Sequence, residues 1–327
     1  MELILANTGS YPRIGDTPEL QRMRRAHARR ERGELSTEAF AKVQDEVTAE
    51  VVREQLAAGV ELPTDGQIRW ADGLSYLAAN LNGVAVNGLL RFFDTNTYFR
   101  QPVVTGRFTR KGPLFIRDYR QAAKAAGRPL KAVLTGPYTL ARGSILDSGY
   151  RSIHALALAY ATVLAQEITE LAGEGAPVIQ VDEPAILRHR GDLAVLGEAL
   201  VVLARGKGPA RLSLATYFGD AAPLYDDLQD LTADMLHLDF TYSPALARIV
   251  GERGSTKALS LGLFDARNTK LETRETVFPL LDQIGRRLRT PAHLAPSSGL
   301  EYLPRDRARA KLEAMRHLRD AYLGERR

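Results

Sequence analysis

The chain has 327 residues, of which 45% are hydrophobic and 25% charged, with a net charge of +5 and no cysteine. That length suits one α/β barrel of about 250 residues with extensions, and the missing cysteines exclude disulfides, thiolate nucleophiles and cysteine-ligated metal. No apolar run reaches the roughly 18 residues of a membrane span and the start lacks a signal-like pattern, so a cytoplasmic protein with no membrane partner is expected.

Short apolar runs alternate with helix-period segments, as βα units around a parallel sheet do. The first strand is predicted at Glu2–Ala6, and a long helical connection follows it. Its first helix is basic: Arg22, Arg24, Arg25, Arg29, Arg30 and Arg32 crowd it, with His27 between them. Such a face is either simply solvated or attracts a polyanion. Ser36 then reads as an N-cap, Leu35 and Phe40 as a hydrophobic staple, and Phe40, Val43, Val47 and Val51 as one buried face ended by Gly59. The second strand is predicted at Val60–Thr64, and Val84–Phe115 reads as a hairpin insertion. Six more strands are expected at Leu130–Thr135, Val178–Val181, Arg211–Thr216, Met235–Asp239, Ala258–Leu263 and Ala292–Pro296. Helices are expected at Ser152–Ala172, Leu193–Ala204, Leu224–Leu231, Pro244–Gly251, Arg274–Leu288 and Arg305–Leu323. The expectation is a single (β/α)8 TIM barrel spanning 1–327.

Chemistry in such a barrel sits at the C-terminal strand ends. Those ends carry hydroxyls, carboxylates and glycines, including Ser10, Asp65, Asp182, Glu183, Asp239 and Ser298. Helix capping alone accounts for many of them, but the acidic pair Asp182-Glu183 follows a buried-looking run and is favoured as functional. Adjacent strand positions face opposite ways, so one of the pair can enter the site while the other braces a neighbour. The six histidines are scattered, and only His237 and Asp239 share a strand face. No nucleotide-binding glycine motif and no zinc-protease motif is present.

Three segments then point to a family. Asn7-Thr8-Gly9-Ser10-Tyr11-Pro12-Arg13-Ile14-Gly15 resembles the opening motif of cobalamin-independent methionine synthases. Leu134-Thr135-Gly136-Pro137-Tyr138-Thr139 resembles the family's "TGPVT" segment, and VIQVDEPA at Val178–Ala185 is similar to its "IQIDEPA" signature. The resemblance implies a barrel that transfers a methyl group from 5-methyltetrahydrofolate to homocysteine, whose thiol a bound zinc activates as thiolate. The implied zinc ligands, a His-x-Cys pair, a Glu and a Cys, fall here on Leu214-Ala215-Thr216, Asp239 and Ser298. Zinc is therefore not expected, nor any other bound cofactor. The family's relay histidine falls near Arg267 and its pterin-stacking tryptophan near Gly143.

The resemblance further assigns Ser10, Asp182, Glu183, Asp239 and Ser298 to the substrate pocket. It assigns Arg13, Arg22, Arg24, Arg25 and Arg29 to the glutamate tail of the folate, since arginine pairs with carboxylates bidentately. Several segments are similar to the family's non-catalytic N-terminal barrel. They imply a folate-binding module that works with a separate zinc-bearing barrel. An autonomous zinc-independent methyltransferase, using another donor such as a methylcorrinoid protein, is the alternative. A nucleic-acid binder is the third, but its arginine helix lacks the aromatic residues that stack on bases.

Overall fold

The computed structural model describes residues Glu2–Glu325. Ten strands form in chain order: β1 (Leu3–Leu5), β2 (Leu81–Arg91), β3 (Tyr98–Arg110), β4 (Ala132–Thr135), β5 (Ile145–Ser148), β6 (Val178–Asp182), β7 (Arg211–Thr216), β8 (Met235–Asp239), β9 (Ala258–Phe264) and β10 (Ala292–Pro296). Seven of them pair in parallel in the order β1-β10-β9-β8-β7-β6-β4. Both faces of these strands are largely buried, one against helices and one inside the curl, so apolar residues fall on both faces, with a few buried polar residues such as Gln180 and His237 among them.

The gap between β1 and β4 is filled by 60–64, predicted as a ladder strand. It makes a single parallel bridge, Ala6 to Leu62, while the amide of Lys131 donates to the Pro63 carbonyl at 3.0 Å. Proline has no N–H to give back, so the segment closes the curl as extended chain and not as a regular strand.

The outer helices follow their sequence signals closely. Ser36 caps the helix Thr37–Ala57 by accepting from the Ala39 amide at 3.1 Å, and Phe40, Val47 and Val51 on one face are buried. Ser152 does the same for Ile153–Gly173, accepting from Ala155 N. The expected helix at 274–288 stops at Ile284.

The insertion is larger than a hairpin. β2 and β3 pair antiparallel as expected, but β5 adds a third strand, parallel to β3. The residues of β5 are mostly exposed and carry no periodic apolar signal, so nothing local announces it. The hairpin tip, Arg91 to Thr97, folds onto the mouth of the barrel. It is held rigid by Phe92 N to Thr97 O at 2.9 Å and Thr95 Oγ1 to Phe92 O at 2.5 Å.

Candidate active site

The C-terminal strand ends and the hairpin tip enclose a cavity of about 240 Å³. Asp182, last residue of β6, supplies its floor. One carboxylate oxygen accepts from Gln180 Nε2 at 2.7 Å and the other from the Tyr217 hydroxyl at 3.0 Å. Burial pushes the Asp182 carboxyl up, and the Gln180 and Tyr217 hydrogen bonds and Lys131 oppose that shift. Ser10 and Arg13 enter from the loop after β1, Gln67 and Trp70 from the loop after the closing segment, and Glu301 and Tyr302 from the loop after β10.

Gly299 lets this last loop close on Ser10, because a Cβ there would lie 2.0 Å from Ser10 Oγ. Arg13 donates to the Trp70 carbonyl at 2.6 Å. Glu301 is pushed up by burial, and Arg13 opposes the shift. The lining holds three carboxylates, Asp72, Asp182 and Glu301, and one guanidinium. Asp72 accepts from the amides of Leu74, Ser75 and Arg100, which leaves Asp182, Glu301 and Arg13 to complement a small zwitterion.

The roof is aromatic. Phe92 and Phe99 line the cavity from the hairpin, and Phe92, Phe93, Phe218 and Tyr302 form a chain of ring contacts. Arg267 clamps this roof: its guanidinium reaches Asp94 Oδ1 and the Asp94 carbonyl at 3.1 Å each, bonds the Tyr242 hydroxyl, and lies 5.2 Å over the Phe218 ring. Among the described residues, the non-glycine positions with left-handed φ are Gln67, Phe93 and Phe218. All three sit at this mouth. Such conformations cost about 1–3 kcal/mol each and gather at functional sites.

Of the residues assigned to substrate from sequence, Ser10 and Asp182 line the cavity and three others do not. Glu183 is turned away beneath the helix Pro137–Gly143. It accepts from the amides of Tyr138 at 2.8 Å and Thr139 at 2.7 Å and from the Thr139 hydroxyl at 2.6 Å. The "TGP" glycine makes room for it, since a Cβ on Gly136 would meet the carboxyl carbon at 2.3 Å. Asp239 is consumed by its own turn: Oδ1 accepts from Thr241 N, Thr241 Oγ1 and Tyr242 N, and Oδ2 from Phe218 N. Ser298 is fully buried, and its hydroxyl reaches only the Gly299 carbonyl, at 3.4 Å.

The expected arginine set also divides. Arg13 lines the cavity. Arg22 is tied to Glu50 at 2.9 Å and Glu46 at 3.5 Å. Arg25 donates to Pro18 O at 2.6 Å. Arg24 and Arg29 are exposed, and their side chains make no hydrogen bond or ion pair among the described residues.

The positions where the resemblance implies zinc do not fit it. Leu214 has no donor atom, Thr216 and Ser298 offer neutral hydroxyls, and both Asp239 oxygens are already engaged. His237 cannot stand in. Its Nε2 donates to the Ser297 carbonyl at 3.0 Å, which leaves Nδ1 to accept from Ser260 at 2.9 Å. Among the described residues, no group of three or more His, Cys, Asp or Glu could hold a metal ion.

With this geometry established, similarity to known proteins becomes informative. Residues 3–320 match the family model described as the catalytic domain of cobalamin-independent synthase. The chain belongs to the cobalamin-independent methionine synthase family. The methionine synthase of Sulfurisphaera tokodaii is 30% identical over 93% of this chain and 88% of its own. That of Sulfolobus acidocaldarius is 29% identical over 93% and 87%. In fold, the chain is similar to a B12-independent methionine synthase from Shewanella sp. solved with selenomethionine, with a TM-score of 0.81, 21% identity and 99% coverage of both chains.

The matched model describes the family's catalytic domain. The lean toward the non-catalytic N-terminal half, read from individual segments, therefore has no support from the family match. These family members are also of single-barrel length.

Sequence reasoning missed Gln67, Trp70, Phe92, Glu301 and Tyr302 in the lining. Glu301 and Tyr302 follow Ser297-Ser298-Gly299, so a reading that extended each strand end by a few more residues finds them. Gln67 similarly follows Thr64-Asp65-Gly66. Trp70 lies further along the same loop as Gln67, and Phe92 had no signal, since it reaches the mouth only through the insertion.

Proposed function

We propose that this barrel binds a homocysteine-like α-amino acid in the cavity and takes part in methyl transfer to its sulfur. The observation that carries this reading is the buried, doubly hydrogen-bonded Asp182 carboxylate facing a small cavity that also presents Glu301 and Arg13. A substrate ammonium suits the carboxylates, and a substrate carboxylate suits the guanidinium. Selenomethionine bound to the structurally similar Shewanella protein supports an amino-acid ligand. Zinc held at the ends of β7, β8 and β10 has no part in this reading, so the thiol is activated by other means. We place the protein in the cytoplasm, where a cysteine-free methyltransferase of this kind meets its small-molecule substrates. Calorimetric titration with L-homocysteine and L-methionine is the test. One site per chain, lost in Asp182→Asn, is the expected result; no binding by the wild type overturns the reading.

A second reading has its own observation. Arg24 and Arg29 are exposed on a helix crowded with arginine and suit the polycarboxylate tail of a folate donor, with a zinc-bearing partner barrel completing the reaction. It predicts that methyltetrahydrofolate triglutamate binds more tightly than the monoglutamate, and that Arg24→Glu with Arg29→Glu abolishes the difference. Equal affinity for both folates would instead favour a different methyl donor.

A further inference from the structure

The inside of a (β/α)8 barrel is ordinarily packed with layers of branched apolar side chains. Here the layer beneath the cavity floor is polar: Lys131, Gln180, His237, Ser260 and His293 are all buried. Lys131 is the anomaly among them. The residue is 2% exposed, and its ammonium makes one hydrogen bond, to Gln180 Oε1 at 2.7 Å. No carboxylate lies within ion-pair distance of it among the described residues. An unpaired buried cation is costly relative to an apolar side chain of the same size. Packing alone would be served better by methionine.

What the ammonium does is visible one bond further on. Gln180 is bridged between a cation and an anion, so its amide has one permissible orientation. The oxygen faces Lys131, and the nitrogen donates to Asp182 Oδ1 at 2.7 Å and to the Thr8 carbonyl at 2.8 Å. A flipped amide would point N–H groups at an ammonium and an oxygen at a carboxylate. Lys131 therefore fixes Gln180, which fixes the carboxylate at the cavity floor. The Tyr217 hydroxyl holds the other oxygen.

The surrounding groups leave Lys131 as the charge that matters. His237 and His293 are both pushed down to about 3, first by burial and then by Lys131 itself, and stay neutral. Tyr217 and Tyr302 are pushed far up by burial and stay protonated. Glu183, the adjacent carboxyl, is pushed up to about 7 by burial and can only disfavour ionisation of Asp182. Lys131, itself pushed down by burial, is the group that favours it.

We propose that Lys131 is a positioning residue for the acceptor site: acting through Gln180, it keeps Asp182 oriented and ionised to receive a substrate ammonium. This rests on the amino-acid reading above, but its coupling step can be measured without any substrate. The experiment is a pH titration of the full chain labelled with [13C-carboxyl]aspartate, followed by NMR, with the Asp182 signal assigned by its loss in Asp182→Asn. In Lys131→Met, the Asp182 midpoint should rise by about one unit or more, the usual effect of removing a nearby opposite charge. Gln180→Leu, which leaves the lysine in place but breaks the bridge, should also raise it and serves where Lys131→Met does not fold. In parallel, L-methionine affinity of the variants should be depressed most at low pH and recover as pH rises. An unmoved midpoint in both variants, or an affinity lowered equally at every pH, overturns the proposal. A midpoint that moves in a protein that binds no amino acid would leave the coupling intact and refute the function.

Discussion

Asp182 and Glu183 are neighbours in sequence with opposite fates, and the difference is the two-residue period of a strand. Asp182 ends β6 facing the cavity; Glu183 passes outward and caps the helix Pro137–Gly143. Their variants should separate cleanly. Asp182→Asn removes a charge-assisted contact worth about 1.5–3 kcal/mol, so amino-acid affinity should fall roughly 10- to 100-fold with little change in melting temperature. Glu183→Ala strands two buried amides, and a loss of about 1–3 kcal/mol of stability in denaturant titrations is expected. His237 gives a pH test. Its folded pKa is depressed to about 3 by burial, from an ordinary value of 6.5. Its contribution is thus present above the ordinary value and is lost as pH falls toward 3, because only the unfolded chain takes up the proton in that window. Relative to His237→Gln, the wild type should lose up to about 1.4 kcal/mol per pH unit across it. A constant difference from pH 7 to 4 would show that His237 titrates in the fold as it does in the unfolded chain. At this scale the sequence was half legible. The strand-end rule found Ser10 and Asp182, but a turn that consumes its own carboxylate, as at Asp239, looks the same in sequence as one that presents it.

The elements were read well where the signal is local. The Ser36 and Ser152 caps, the parallel strands and the main helices follow from side-chain period and capping chemistry. The segment 60–64 failed as a strand because Pro63 breaks reciprocal pairing, a point legible in the residue itself. β5 failed because its partner β3 is distant in sequence and its own residues are mostly exposed. The hairpin tip is the element with most to say about function, since it roofs the cavity and is pinned by Arg267 to Asp94. Half-exposed ion pairs contribute little to global stability, about 0–1 kcal/mol. Arg267→Ala should therefore leave the melting temperature nearly unchanged while amide exchange at Phe92–Thr97 accelerates and amino-acid affinity falls. Unchanged exchange would mean that the tip's own hydrogen bonds, rather than the clamp, hold it down.

At the scale of the whole molecule, a barrel of the methionine synthase family has a buried carboxylate, Asp182, at its cavity floor, while the strand ends that would hold zinc are filled by Leu214, Thr216, Ser298 and an occupied Asp239. The polar layer of Lys131, Gln180 and His237 beneath that floor replaces the usual apolar filling. Composition and strand-helix alternation made the barrel legible. The cavity was only partly so, because its roof comes from an insertion whose landing place is set by tertiary contacts. Loss of the ligand positions also makes a chemical prediction: protein dialysed against a chelator and then against zinc should retain far less than one zinc per chain by elemental analysis. The most direct measurement of the central claim is calorimetric titration of that chelator-treated protein with L-methionine, wild type against Asp182→Asn. The account predicts one site per chain in the wild type without added metal and a roughly 10- to 100-fold loss in the variant. Binding that appears only after zinc is restored, or that survives Asp182→Asn unchanged, would contradict it.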